Sequence, residues 1–314
     1  WKSTDGGTTW RKAETGLPAG DKGRIGIAVA RSNPNMVIAT VEHATGSGVY
    51  RSDDAGTTWR RTSGVNPRPM YYSAPFIDPT TDQRVWLMNV QPMKSEDGGT
   101  TFEQMPNSPT YDLGLKDDHH VLWIDPRDTR HLLLGGDGGL HESWDQGITY
   151  NRLNNFAVGQ FYRIAVDDRD PYWIYGGLQD AHSWMGPSAT SHWLGILNSD
   201  WKQIGFSDGA GQSIDKRGHR YVYSTSSGGS LTRVDAETGD RFEIQPVPPR
   251  GESYRYDWIA PILASKHTAG TVYLGANKLL ISKDFGSTWT ATADLARKVN
   301  RDTLRLAGVL NTDI

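Results

Sequence analysis

Cysteine is absent from the 314 residues. That excludes a disulfide framework, thiolate metal centres and thiol nucleophiles. No run approaches the ~18 consecutive apolar residues that a membrane-spanning helix needs. Neither sign of charge dominates: 33 Lys and Arg against 36 Asp and Glu leave a formal charge of −3. Nothing in that balance predicts a nucleic-acid or anionic-membrane partner. Helical spacing is scarce and confined to the short stretch Asp294–Lys298. No secretory leader opens the chain, which starts at Trp1 inside a repeat; a mature form or a piece of something longer is expected. What the chain does have is 35 glycines and 12 tryptophans, the composition of many tight turns and aromatic plugs.

One phrase recurs. It reads Ser3-Thr-Asp-Gly-Gly-Thr-Thr-Trp10, then Ser52-Asp-Asp-Ala-Gly-Thr-Thr-Trp59 and Ser95-Glu-Asp-Gly-Gly-Thr-Thr-Phe102. It returns as Ser143-Trp-Asp-Gln-Gly-Ile-Thr-Tyr150 and Ser282-Lys-Asp-Phe-Gly-Ser-Thr-Trp289. The starts lie 49, 43, 48 and 139 residues apart, and the last gap has room for two degenerate copies. Asp followed two residues later by Gly is turn chemistry: the carboxylate accepts from backbone N–H groups ahead of it, and Gly permits positive φ. Ser and Thr hydroxyls tie down the ends. The aromatic anchors the turn to a core. The phrase is a structural hairpin turn, and its aspartates are not expected to be catalytic.

A second phrase, strand–polar turn–strand, recurs out of phase. Examples are Ile25–Ala30 and Met36–Val41 around Arg31-Ser-Asn-Pro-Asn, and Val121–Ile124 and His131–Leu134 around Asp125-Pro-Arg-Asp-Thr. Each unit is four strands of roughly 45 residues, the size of a propeller blade. The expected fold is therefore all-β: one β-propeller domain over 1–314, seven-bladed. The boundaries are a half blade at 1–18, full blades at 19–65, 66–107, 108–155, 156–204, 205–248 and 249–295, and a closing strand or the start of a next blade at 296–314. Asn300–Ile314 could supply that closing strand, or the chain could run on into a further propeller. The fifth and sixth blades lack a clear phrase. The fifth carries Gln179–Gly195, rich in His and Trp, where functional decoration or a contact with another domain is expected.

In a blade, the polar turn and the repeated phrase share one end. The opposite end is built by the segments leading into first strands and by the links from second to third strands. Those segments hold most of the candidate chemistry, and loops on a rigid scaffold are where sites are built. The sharpest cluster is Asp117-Asp118-His119-His120, with Asp137 on the adjoining link of the same blade. Alternation along a strand puts Asp118 and His120 on one side and His119 on the other. Three readings stay open. A carboxylate pair, Asp118 and Asp137, with a histidine suits general acid–base work, and a glycosidase needs two such carboxyls. A His-Asp-Asp metal site is a second option. A hydrogen-bonded network pinning the strand is the third. Asp180 and Asp208 hold the corresponding places on the next blades and complete the candidate catalytic set. Candidate ligand-binding residues are His119, His120, Tyr72, Gln160, Tyr162, Gln179, Trp184, Trp201 and Trp258. Aromatic faces flanked by carboxylates and amides hold sugar rings, although several of these aromatics can equally pack between blades.

The repeated phrase resembles the Asp-box, or BNR repeat, of sialidases, xyloglucanase-type glycoside hydrolases and sortilin-type receptors. Asp118-His-His-Val-Leu-Trp-Ile-Asp-Pro126, Gly176-Gly-Leu-Gln-Asp180 and Asn198-Ser-Asp-Trp201 resemble bacterial sortilin-like and glycosyl-hydrolase-like propeller proteins. The resemblance implies a propeller with the phrase away from the active face. A sialidase is not implied, because no arginine triad with its Tyr/Glu pair is evident, and no stretch matches the local catalytic motifs of xyloglucanases. The cysteine-rich companion modules of sortilins are missing. The expectation is an exported, extracellular or periplasmic, carbohydrate-active propeller, possible as a glycoside hydrolase through the carboxylates above, with no cofactor or metal. The alternative is a non-catalytic propeller that binds a protein or peptide, or joins a further propeller or assembly partner.

Overall fold

The computed structural model describes residues 1–105, 118–153, 159–296, 299–300, 303–306 and 309–310. Its contacts divide the chain into two compact units, Trp1–Phe156 and Ala157–Ile314. Among the described residues there is no α-helix. The regular structure is six four-stranded antiparallel sheets, each with its strands in sequence order. That meander is the blade of a β-propeller, and the all-β propeller class expected from the repeat is what the chain adopts.

Unit 1 holds three blades. The first is β1 (Ile25–Val29), β2 (Val37–Val41), β3 (Gly48–Ser52) and β4 (Arg60–Ser63). The second is β5 (Pro75–Ile77), β6 (Val85–Leu87), β7 (Met93–Ser95) and β8 (Glu103–Gln104). The third is β9 (His119–Ile124), β10 (Leu132–Gly136), β11 (Gly139–Ser143) and β12 (Asn151–Leu153). Ahead of them, the first copy of the phrase is closed by a bridge between Lys2 and Arg11.

Unit 2 holds three more. They are β13 (Phe161–Val166), β14 (Trp173–Leu178), β15 (Ser183–Pro187) and β16 (Lys202–Gly205); β17 (Gly209–Ile214), β18 (Tyr221–Ser226), β19 (Leu231–Asp235) and β20 (Arg241–Glu243); and β21 (Ile262–Ala264), β22 (Val272–Gly275), β23 (Leu279–Ser282) and β24 (Thr290–Ala291). A two-stranded hairpin, β25 (Arg305–Leu306) and β26 (Val309–Leu310), follows. The helix expected over Asp294–Lys298 is not formed in its described part. Asp294 instead accepts from Ala296 N at 2.8 Å and from Asn277 Nδ2 at 2.8 Å, and a side chain bonded this way competes with helix. Lys298 and the remainder of the C-terminal stretch lie outside the described residues.

The repeated phrase forms the self-satisfied turn its composition dictates. In the second copy Ser52 Oγ donates to Asp54 Oδ1 at 2.8 Å and accepts from Gly56 N at 2.8 Å. Thr58 N donates to Asp54 Oδ1 at 2.8 Å and Thr58 Oγ1 to Asp54 Oδ2 at 2.6 Å. The same bonds recur around Asp5, Asp97, Asp145 and Asp284. A carboxylate accepting this many donors is favoured in its charged form. The Thr9 and Thr288 hydroxyls, and then their backbone N–H groups, hold Asp5 and Asp284 at about 2. The residue before the phrase's glycine is left-handed even when it is not glycine, as at Ala55 (φ 56), Gln146 (φ 62) and Phe285 (φ 59). Its N–H donates to the carbonyl of the neighbouring first-to-second-strand turn: Ala55 to Asn35, Gly98 to Gln83, Gln146 to Arg130 and Phe285 to Gly270. The two turns are thus zipped together at one end of each blade. The two blades without the phrase keep this bond, through Ser188 to Tyr172 and Ala236 to Arg220.

Aromatic plugs join blades within a unit. Phe102 packs on the cluster of Met36, Ile38 and Val49 with Val85 and Leu87. Tyr150 packs on Trp86, Met88 and Met105 with Leu132 and Leu134. In unit 2, Trp289 packs on Tyr223 and Leu231 with Val272 and Leu274, and its indole donates to Ile244 O at 2.9 Å. The core is therefore a series of apolar layers between successive blades. A sheet buried on both faces explains why every residue of β2 is buried.

Candidate functional site

At the end of the third blade opposite its zipped turns, the backbone segments carrying Asp118 and Asp137 lie side by side. Asp118 leads into β9 and Asp137 lies on the link from β10 to β11; Asp137 N donates to Asp118 O at 3.2 Å. Asp118 has φ 68, a conformation that Asp tolerates better than most residues. A register shift where Gly136 pairs with His119 reshapes the ladder beside it.

The two histidines separate. His120 keeps its Nε2 3.5 Å from Asp137 Oδ1 and stacks on the Tyr72 ring, with centroids 5.1 Å apart and planes at 23°. The Tyr71 ring meets His120 edge-on at 5.1 Å. His119 is wholly buried. Its backbone N–H donates to Asn89 O and its Nδ1 lies 2.9 Å from Val90 O. Burial, opposed by the Val90 contact, lowers its pKa. The expectation that His119 contacts a ligand is thus corrected: the ring fills the layer between the second and third blades beside His141, at a centroid distance of 6.1 Å. Tyr72 is also corrected as a ligand face. It is only 2% exposed, because His120 covers one face and the Arg68 guanidinium lies 5.0 Å from the ring centroid. Burial, and then the Asp118 carboxylate, push its hydroxyl pKa up. The accessible aromatic is its neighbour Tyr71, 39% exposed.

Arg24 and Arg68 complete this end of unit 1. Arg24 donates to Tyr71 O from its guanidinium. Arg68, at φ 43, accepts from Tyr71 N and Tyr72 N on its carbonyl and lies over both tyrosine rings. Neither arginine is among the residues singled out from the sequence. The signal for Arg68 is its place three residues ahead of a Tyr pair, the spacing of a turn.

In unit 2 the corresponding blade ends are strung together by backbone bonds. Gln179 N donates to Gln160 O at 2.9 Å, and Asp180 N to Asp208 Oδ1 at 2.6 Å. Ser227 N donates to Asp208 O and Gly228 N to Trp258 O. Asp180 and Asp208 are therefore neighbours, but one oxygen of Asp208 serves to hold the left-handed Asp180 (φ 60) in its turn. Trp184 is pinned to its own turn, its indole donating to Ala181 O at 2.6 Å. The Tyr162 carbonyl accepts from Arg163. Trp258 is 56% exposed. Trp201 is corrected. It precedes β16, whose first residue pairs with Met185, and its ring lies over Gly186 near the end of β15. It belongs to the zipped-turn end of the blade, away from Gln179 and Asp180.

Asp117 lies outside the described residues. Among the described residues no group of three His, Asp or Glu is placed to hold a metal ion. Nor, among the described residues, is any helix long and apolar enough to cross a membrane.

Four-stranded blades with polar loops gathered at one end define the class: a β-propeller with a candidate site on its loops. No family model matches the chain, and no curated protein matches it. Among solved structures it is similar to the GH74 enzyme of Niastella koreensis, at 13% identity over 86% of this chain and 59% of that one, with a TM-score of 0.35. It is similar to the GH74 xyloglucanase of Xanthomonas campestris at 18% identity, 94% and 48% coverage and a TM-score of 0.35. It is similar to YCF48 from Cyanidioschyzon merolae at 15% identity, 88% and 87% coverage and a TM-score of 0.34. These are propeller proteins. The chain spans 59% and 48% of the two GH74 chains. Identities and superpositions at this level assign no activity.

Proposed function

We propose that the chain is an exported, carbohydrate-active propeller, and that the end of unit 1 formed by Tyr71, His120, Asp118 and Asp137 is its saccharide site. The observation that carries this reading is the meeting of Asp118 and Asp137 on one blade end, with His120 between Asp137 and an accessible tyrosine. Aromatic C–H stacking and carboxylate acceptors are the two contacts a sugar ring needs. The reaction class is glycoside hydrolysis. Water adds across the glycosidic bond while one carboxyl protonates the leaving oxygen and the other deprotonates the water or attacks the anomeric carbon. His120 orients Asp137.

The experiment is oligosaccharide binding and reducing-end release by the whole chain and by Asp118→Asn and Asp137→Asn. Binding with turnover, abolished in both variants, supports the reading. Binding that survives both variants without turnover leaves a lectin-like site and removes the hydrolase. Absence of both binding and turnover removes the reading. A second reading, a non-catalytic propeller that binds a protein or peptide, is favoured by one feature. Where the blade of β13–β16 lacks the phrase, the 188–201 link exposes Trp193 (86%), Leu194 (56%), Ile196 and Leu197. Asp180, Asp208, Gln160, Gln179 and Trp258 remain proposals as accessory ligand contacts in unit 2.

A further inference from the structure

The two arginines beside the candidate site differ from a group of arginines at the zipped-turn ends. There, Arg84 pairs with Asp78, Arg127 with Asp125, Arg130 with Asp128, Arg169 with Asp167 and Arg220 with Asp235. Arg24 and Arg68 are exposed and lie at the opposite end of their blades. Neither has a carboxylate within ion-pair distance among the described residues; their contacts are the Tyr71 carbonyl and the two tyrosine rings. Both are held in place. Arg24 is tied down by its Tyr71 bond and by Glu42, which accepts from Arg24 N at 2.8 Å. Arg68 lies over Tyr71 and Tyr72 at 5.2 and 5.0 Å from their centroids. A guanidinium stacked on aromatics keeps its planar N–H fork free for a planar anion, with less rotamer entropy left to lose.

Tyr71 is where two kinds of group meet. The Arg24 guanidinium donates to its carbonyl and the Arg68 guanidinium lies over its ring, while His120, whose Nε2 is 3.5 Å from Asp137, meets the ring edge-on at 5.1 Å. A neutral sugar would leave the arginines unused. A saccharide bearing an anionic group would engage them while a glycosidic oxygen lies toward the carboxylates. We propose that Arg24 and Arg68 form an anion subsite and that the saccharide taken by this end of unit 1 is acidic, carrying a uronate carboxylate or a sulfate ester. This rests on the saccharide reading above and adds the charge of the ligand to it.

The test is calorimetric titration of the whole chain with three probes: an oligogalacturonide, the same oligosaccharide fully methyl-esterified, and a sulfated oligosaccharide of similar length. The methyl ester removes the charge and little else. The expected result is binding of an acidic probe that weakens with added salt and is lost on esterification. Arg68→Gln and Arg24→Gln should each weaken it about tenfold or more, in protein that circular dichroism shows to be folded at the titration temperature. Arg68→Lys, which keeps charge but not the planar fork, should restore only part. Preference for the oligogalacturonide or for the sulfated probe tells which anion the subsite takes. Equal binding of acid and ester, unaffected by the Arg variants, overturns the subsite and leaves the saccharide reading standing. Failure of all three probes and of neutral oligosaccharides overturns the saccharide reading itself. Binding of an acidic peptide in place of every saccharide, lost in Arg68→Gln, overturns the proposal in favour of a peptide ligand.

Discussion

The serine that opens each repeated phrase offers a stability experiment in which one substitution is made five times in one chain. Its hydroxyl donates to the phrase's aspartate and accepts from the glycine N–H four residues on. At Ser52, Ser95, Ser143 and Ser282 the side chain is 1% exposed, and the N–H groups of Gly56, Gly99, Gly147 and Gly286 bond to it from buried positions. At Ser3 the same pair is exposed. Ser→Ala removes the acceptor. Where the N–H is buried, water does not replace it, and an unsatisfied buried donor costs about 1–3 kcal/mol. Where it is exposed, water takes over and a surface substitution stays within about 0.5 kcal/mol. For a unit of this size 1 kcal/mol moves the melting temperature by roughly 2–4 °C. The expected result is a loss of about 2–12 °C for each of the four buried copies and almost none for Ser3→Ala, read by thermal denaturation followed by circular dichroism. Equal losses in all five copies, or none in the four, would refute the view that burial rather than turn propensity makes the hydroxyl stabilising.

Gly147→Ala should be more damaging than a typical turn substitution. The residue has φ 86, and a Cβ there would lie 2.1 Å from Met105 Cε and 2.5 Å from the Tyr150 hydroxyl; denaturant titration should show a loss of about 2 kcal/mol or more. Acid should weaken unit 1 through His141, which is 1% exposed and whose pKa is lowered to about 4, first by burial and then by His119 and Arg152. The folded form holds this imidazole neutral, so the unfolded chain takes up the extra proton. The contribution is intact above pH ~6.5 and fades as pH falls towards about 4, to a total of about 3 kcal/mol. Denaturant midpoints between pH 8 and 4.5 should fall less steeply in His141→Gln than in the parent, and parallel profiles would contradict this. Asp118→Asn and Asp137→Asn should each lower any glycoside turnover by roughly 10²–10⁴ without shifting the melting temperature by more than a few degrees; unchanged turnover would remove both from the chemistry.

The fold was legible because its signal is local and repeated. Turn chemistry at Asp54, Asp97 and Asp284 is complete within eight residues, so composition alone dictates the hydrogen bonds that form. Strand alternation between Asp-bounded turns then fixes four-stranded blades with sequential topology. That Asp118 and Asp137 are neighbours along the backbone was also readable, because both lie on one blade and a meander places adjoining links side by side.

What the linear pattern left open is burial, which depends on neighbouring blades. His119 and His120 are identical neighbours. Alternation puts them on opposite sides of β9, and the layer formed with Val90 and His141 makes the side of His119 core while His120 reaches Asp137. Tyr72 and Tyr71 divide the same way: His120 stacks on the Tyr72 ring, which is buried, and meets Tyr71 only edge-on, leaving that ring accessible. Trp201 looked like a site residue until β16 paired with β15 and carried it to the zipped-turn end. Local chemistry therefore determined the turns, the strands and the blade. Packing between blades decided which of the polar and aromatic side chains are left to meet a ligand, because burial is settled by residues far away in the chain.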